Sequence, residues 1–160
     1  FEEIDVDVST AQDLPDVAAR LRNAALGAAV PSRWVMLRIC LVGRTELWGD
    51  LARQGTIADL LTELRGHIDS QDGLWCADLR LDALPALDLD NWRGRDDLCG
   101  ELVAVCDHLA ANHAIVRQAL LADPQTKAYA QTLDADGLDR LCERAAREAV
   151  QLLASDREAA

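Results

Sequence analysis

The sequence predicts an α+β fold in which a small three-stranded sheet packed with helices is followed by a helical C-terminal region. Three observations carry that expectation. Residues 2 to 8 alternate acidic and aliphatic side chains, Trp34 to Val42 form a nearly continuous apolar run, and apolar residues beyond Asp97 recur at helical spacing. Three strands are too few for a large doubly wound sheet, so the first half reads as a small α/β sandwich.

Each element has its own local signal. Glu3, Asp5 and Asp7 alternate with Ile4, Val6 and Val8, the pattern of a half-buried strand. Ser9, Thr10 and Asp13 offer helix caps, and Pro15 falls near the first turn, where its missing N–H costs nothing. Val17, Leu21, Ala24, Ala25 and Ala28 form one stripe before Gly27 and Pro31 end that helix. The run from Trp34 to Val42 is broken only by Arg38, as expected of a central strand buried on both faces. Gly43-Arg44-Thr45 closes it, and a helical region follows in two pieces, Glu46 to Arg53 and a helix from Thr56. Thr56-Ile57-Ala58-Asp59 has the form of a capping box with Asp in place of Glu, and Ile57, Leu60, Leu61, Leu64 and Ile68 supply the buried stripe. Asp72-Gly73 turns the chain into a third strand, Leu74 to Leu81, with Trp75, Ala77, Leu79 and Leu81 on one face.

Residues 83–96, with Pro85, read as an extended linker. Asp97 then caps a helix whose Leu98, Leu102, Val105 and Leu109 are spaced by four, three and four. A further helix is expected around Ile115 to Leu121. Pro124 interrupts, and the last helix runs from about Asp136 to Leu153 with Leu138, Leu141, Cys142, Ala145, Ala149, Leu152 and Leu153 along one side, while Ser155 to Ala160 fray. The expected organisation is a sandwich over 1–82, a linker over 83–96 and a helical extension over 97–160 that joins the same compact domain.

Composition narrows the function. The chain has 160 residues, half of them hydrophobic, with 16 Lys and Arg against 28 Asp and Glu and a formal charge of −12. Such a surface repels phosphate backbones and anionic membranes, which disfavours a free-standing DNA- or lipid-binding module. No window approaches the roughly 18 to 20 apolar residues of a membrane span, and the N-terminal Phe-Glu-Glu-Ile-Asp is acidic where a signal peptide is basic and then apolar. Cys40, Cys76, Cys99, Cys106 and Cys142 show no C-x-x-C spacing and mostly sit in apolar patterns, which fits free thiols in a reducing cytoplasm. The chain opens on Phe1 rather than Met, directly into a strand pattern, as expected of a piece of a longer polypeptide.

The residues nominate no active site. His67, His108 and His113 form no H-E-x-x-H and no Cys/His cluster, and neither a phosphate-binding glycine loop nor a G-x-S-x-G elbow occurs. The carboxylate pairs Asp88/Asp90, Asp96/Asp97 and Asp134/Asp136 lie in linkers or at helix starts, where capping is preferred over acid–base chemistry. Arg33, Arg38 and Arg44, in and beside the central strand, are the candidates for DNA contact, with salt bridging to nearby carboxylates as the competing role. Of the four tryptophans, Trp34 and Trp75 are expected in the core, and Trp48 and Trp92 at an interface.

Several sequence words, in this order, resemble the C-terminal region of SbcD-like DNA repair exonucleases of the calcineurin-like metallophosphoesterase superfamily. They are Gly43-Arg44-Thr45, the helix segment Leu61-Thr62-Glu63-Leu64-Arg65, Gly73-Leu74-Trp75, and Arg95-Asp96-Asp97 followed by Gly100-Glu101-Leu102. The similarity spans about residues 1 to 110. Ala77-Asp78 stands where relatives tend to carry Glu-Lys, and Leu98-Cys99 where Pro-Leu is common. None of the superfamily's metal-binding words, D-x-H, G-D, G-N-H-D/E and G-H-x-H, is present. The resemblance therefore implies an accessory or capping domain, inactive alone, with the catalytic domain upstream of residue 1. It further implies two metal ions, manganese in this family, in that absent domain, a nuclease domain in cis as partner, an SMC-like ATPase as a second partner, and DNA bound only by the full protein. The alternatives are a stand-alone interaction or dimerisation module, forming a homodimer, and a small hydrolase with an unrecognised site.

Overall fold

The N-terminal alternation becomes strand β1 (Glu2–Asp7) in a computed structural model that describes residues 1–31, 33–68 and 73–158. After it come α1 (Leu14–Gly27), β2 (Val35–Val42), β3 (Arg44–Thr45), α2 (Trp48–Leu51), α3 (Thr56–Ile68), β4 (Leu74–Leu81) and β5 (Leu84–Pro85). These belong to one unit, Phe1–Ala86; a second unit, Leu87–Ala160, holds α4 (Leu98–Ala110), α5 (His113–Ala122), α6 (Lys127–Thr132) and α7 (Ala135–Glu158). The fold is α+β, with a three-stranded sheet and a helical C-terminal region.

In the first unit the strand order is β1-β2-β4, all parallel, with β2 in the middle. Asp13 caps α1 by accepting from the amide of Asp16, and Pro15 sits in the first turn. Parallel neighbours need crossovers, and α1 and α3 supply them; the two helices pack against each other, so both cover the same face. On that face Val35, Leu37, Ile39 and Leu41 of β2 meet Val17, Leu21 and Ala25 of α1 and Leu60, Leu64 and Ile68 of α3 in one core. Past Gly43 the β2–β4 pairing resumes as the short parallel pair β3–β5.

The other face of the sheet has no helix of this unit over it, and that corrects two expectations. β2 is central but not buried on both faces: Met36 is 48% exposed. Trp34 and Trp75 are not core residues either, with 83% and 39% of their surfaces exposed. The reason for Trp75 is a β-bulge. Leu37 pairs with Cys76 but Arg38 pairs with Asp78, so Ala77 is an extra residue and the alternation resets. Leu74, Cys76, Leu79 and Leu81 face the helices, while Trp75 points away from them with Asp78 and Arg80. The Gly73 half of the expected Asp72-Gly73 turn is present with φ +65°; Asp72 lies outside the described residues.

The second unit has its own core of Leu89, Cys99, Val103, Ala146 and Val150. The expected linker 83–96 is structured instead: Leu84–Pro85 is a strand, and Leu89–Asn91 a 3-10 turn capped by Asp88 that seats Leu89 in this core. The packed stripes of α4 and α7 are also rotated from expectation. Leu98 and Val105 are exposed while Cys99 and Val103 are buried, and on α7 the buried line is Leu138, Cys142, Ala146 and Val150, with Ala145 and Leu152 outside. Small side chains at the α4–α7 contact let the two axes approach closely. Arg147, nearly buried, donates to the Leu87 carbonyl and pairs with Glu143, so its charge is compensated. Arg117 of α5 donates to the carbonyls of Ala130 and Leu133 and ties α6 down; α6 itself carried no signal strong enough to be expected. The segment expected to fray from Ser155 is helical through Glu158, and its last two residues lie outside the described ones.

Leu37, fully buried between the sheet and its helices, is the most direct probe of the first core. Leu37→Ala is expected to cost about 2–5 kcal/mol, read as a lower urea midpoint with an unchanged slope.

Candidate functional site

The carboxyl-terminal edge of the parallel strands is where α/β sheets commonly bind ligands. Here it is built from the end of β1 and the Gly43-Arg44-Thr45 turn. Gly43 has φ +100°, and a Cβ there would lie 2.2 Å from the Ser9 hydroxyl and 2.5 Å from an Asp7 carboxylate oxygen. The Ser9 amide donates to Asp7 at 2.8 Å, and the Arg44 amide donates to the Ser9 hydroxyl at 3.1 Å. Hydrogen bonds from the Ser9 side chain and amide hold the Asp7 carboxyl below its ordinary range. Thr45, buried, accepts from the Leu47 amide at 3.2 Å. Gly43 and Ser9 thus fasten the end of β1 to the turn after β2, while Thr45 holds the local turn toward Leu47. A depression of about 460 Å³ beside them is lined by Ser9, Thr10, Gln12, Glu46 and Leu47.

Arg33, Arg38 and Arg44 are not brought together. They stand before, within and after β2, whose eight residues extend about 25 Å. Arg38 is held by Glu3 at 3.3 Å and Asp78 at 3.2 Å, and its guanidinium lies 5.1 Å from the Phe1 ring. Asp78 also takes Arg80 at 2.9 Å. Hydrogen bonds and charge from Arg80, and then Arg38, hold the Asp78 carboxyl below its ordinary range. Cys40, on the same face, is pushed up by burial and by Glu3, Asp82 and Asp5.

Arg65, at the end of α3, reaches the β4 edge. It donates to the carbonyls of Cys76 and Ala77 at 2.8 and 3.0 Å and stacks 4.8 Å from the Trp75 ring. The open face therefore has an aromatic and methionine end, with Trp34, Met36 and Trp75, and a charged end of carboxylates and arginines. The exposure of Trp75 was hidden from sequence reasoning by the bulge at Ala77, and that of Met36 by a β2 face that no helix of this unit covers.

Trp48, expected at an interface, is a core residue instead. Trp48 is 5% exposed, because α2 folds back toward α3 and β5, and its indole N–H meets no acceptor among the described residues. Trp92 is half-buried against the second core, with the Arg95 guanidinium 4.4 Å from its ring. The Arg95, Asp97, Gly100 and Glu101 positions form the start of α4. Asp97 caps it by accepting from the Gly100 amide at 2.9 Å, and Arg95 pairs with Asp97. A Cβ on Gly100 would lie 2.1 Å from the Arg95 carbonyl oxygen; Glu101 is exposed in the first turn. Asp88 and Asp134 likewise accept backbone amides at the starts of their turns.

Groups with catalytic chemistry are dispersed. His67 lies beside Glu63 at 3.9 Å, His108 is in the last turn of α4, and His113 bonds Asp139 at 2.7 Å across α5 and α7. Cys106 and Cys142 share a depression of about 280 Å³ with Arg93, Asp107 and Glu143, but burial pushes both thiols up, which keeps them protonated and weakly nucleophilic. No three or more His, Cys, Asp or Glu among the described residues are placed to hold a metal ion, so these residues do not fit a two-metal phosphoesterase centre.

A family described as "Metallophosphoesterase YhaO, middle domain" matches residues 1–83. The chain belongs to this family. The match covers nearly all of the first unit, including the Gly43-Arg44-Thr45 turn and Trp75, and makes this an accessory part of a metallophosphoesterase. The words at Arg95 to Leu102 lie outside the matched segment. Comparisons with curated proteins and with solved structures returned no match.

Two outcomes follow from this geometry. Gly43→Ala places a side chain at positive φ against two locked polar groups, and is expected to destabilise by roughly 1–3 kcal/mol in chemical denaturation. For Asp78, a carboxyl depressed by folding contributes stability that is present above its unfolded value near about 4 and is lost as pH falls through the lower folded value. Asp78→Asn is therefore expected to lower the denaturation midpoint at pH 7, with the gap to the parent closing as the Asp78 carboxyl is protonated in acid.

Proposed function

We propose that this chain is a non-catalytic accessory domain of an SbcD-like DNA repair exonuclease, joined in cis to a nuclease domain that precedes it. The observation that carries the reading is the family match over the first unit. The nuclease domain would hold the two metal ions, manganese by family resemblance, since the residues here do not fit them. The accessory role is to shape access of a DNA end or to dock an SMC-like ATPase in the cytoplasm. The acidic balance of the chain, formal charge −12, supports docking of protein over extensive backbone contact with DNA. The wide separation of Arg33, Arg38 and Arg44, and the carboxylates that hold Arg38, point the same way.

The isolated chain with Mn²⁺ is expected to leave bis-p-nitrophenyl phosphate unhydrolysed above the metal-only blank; turnover would make it a hydrolase in its own right. A labelled duplex at low salt separates the two accessory roles. If the domain guides DNA, Arg33→Ala/Arg38→Ala/Arg44→Ala weakens binding and flattens the salt dependence; equal affinity assigns the domain to partner docking.

A further inference from the structure

A parallel sheet normally has both faces covered by helices, because right-handed crossovers place them there. In this unit both crossover helices lie on one face, and the opposite face carries Trp34 and Met36 in the open, with Trp75 beside them partly covered by Arg65. The dimensions of that face suit one helix. From Leu37 to Leu41 three strands about 4.8 Å apart span about 10 Å, the diameter of a helix, and the eight residues of β2 extend about 25 Å, the length of about 16 helical residues.

Charge selects the kind of helix. Along the middle and toward the carboxyl ends of the strands, Glu3, Asp5, Asp78 and Asp82 outnumber Arg38 and Arg80, and the two arginines are themselves held by Glu3 and Asp78. A second copy of the chain would bring the same acidic face and another formal charge of −12. We infer that the open face of the β1-β2-β4 sheet is a docking groove for a basic amphipathic helix of a partner protein. Its apolar stripe covers Trp34, Met36 and Trp75, and its lysines or arginines meet the carboxylate end. This goes beyond the accessory role and stands on the first unit alone, whether or not the parent polypeptide cleaves DNA.

A fluorescein-labelled 16-residue Leu/Lys amphipathic helix, titrated into the 160-residue chain by anisotropy, tests it against a Leu/Glu peptide with the same apolar stripe. The Leu/Lys peptide is expected to bind, and the Leu/Glu peptide at least tenfold more weakly. Met36→Lys and Trp34→Lys, each alone and each checked for an unchanged circular dichroism spectrum, are expected to weaken the Leu/Lys complex at least tenfold. Leu152→Lys, on an exposed site of α7, is expected to leave it unchanged. Equal binding by parent and Met36→Lys, or equal binding of both peptides, overturns the proposal. A dimer in sedimentation that Met36→Lys dissociates also overturns it, in favour of a second copy as the occupant. None of these readouts involves phosphodiester cleavage, so failure here is distinct from failure of the nuclease reading.

Discussion

The structure depends on β2 being hydrogen-bonded on both sides by parallel neighbours. Parallel pairing demands long crossovers, and a sheet built outward in one direction, β1 to β2 to β4, puts both crossovers on the same face. Most of the apolar residues buried in the first unit then gather between that face and α1 and α3. The opposite face is left to side chains alone. Arginine–carboxylate pairs cover its charged end and aromatic rings its other end, which is how a parallel sheet this small tolerates an open side.

The same constraint explains why the family words are structural before they are functional. Gly43 lets β1 and β2 close on each other through Asp7 and Ser9, and Gly100 lets α4 start against the Arg95 carbonyl. A side chain at Gly43 would collide with Asp7 and Ser9, which are already engaged in hydrogen bonds, and one at Gly100 with the Arg95 carbonyl oxygen. Arg65 plays a related part: its guanidinium takes up the carbonyls that the bulge leaves at the β4 edge, and it shields the Trp75 ring. An accessory domain whose polar groups are spent on fastening turns, capping helices and pairing charges acts through its surface, and the open sheet face exposes Trp34, Met36 and part of Trp75.

Residues with local signals were legible. The period-two alternation before Ser9, the apolar run of β2, Asp13 and Pro15 at the start of α1, and Asp97 at the start of α4 all depend on contacts within a few residues, and the elements appear where those signals lie. Membership of the metallophosphoesterase family was legible too, from words whose glycines mark close approaches of backbone. The candidate surface was not. Its recognition needs the fate of Trp34 and Trp75, which composition assigns to a core.

By itself, then, the sequence determined the order and type of the main elements, because caps, turns and hydrophobic period act over one or two turns of chain. Only the tertiary structure decided which side of each element is buried. An inserted residue at Ala77 reverses the facing of β4, and the close approach of α4 to α7 selects Cys99 and Val103 over Leu98 and Val105. Trp48 is buried because α2 folds back toward α3 and β5. Facing is settled by partners distant in sequence, and a single bulge or a rotation of one residue leaves the local pattern almost unchanged while moving every side chain to another environment.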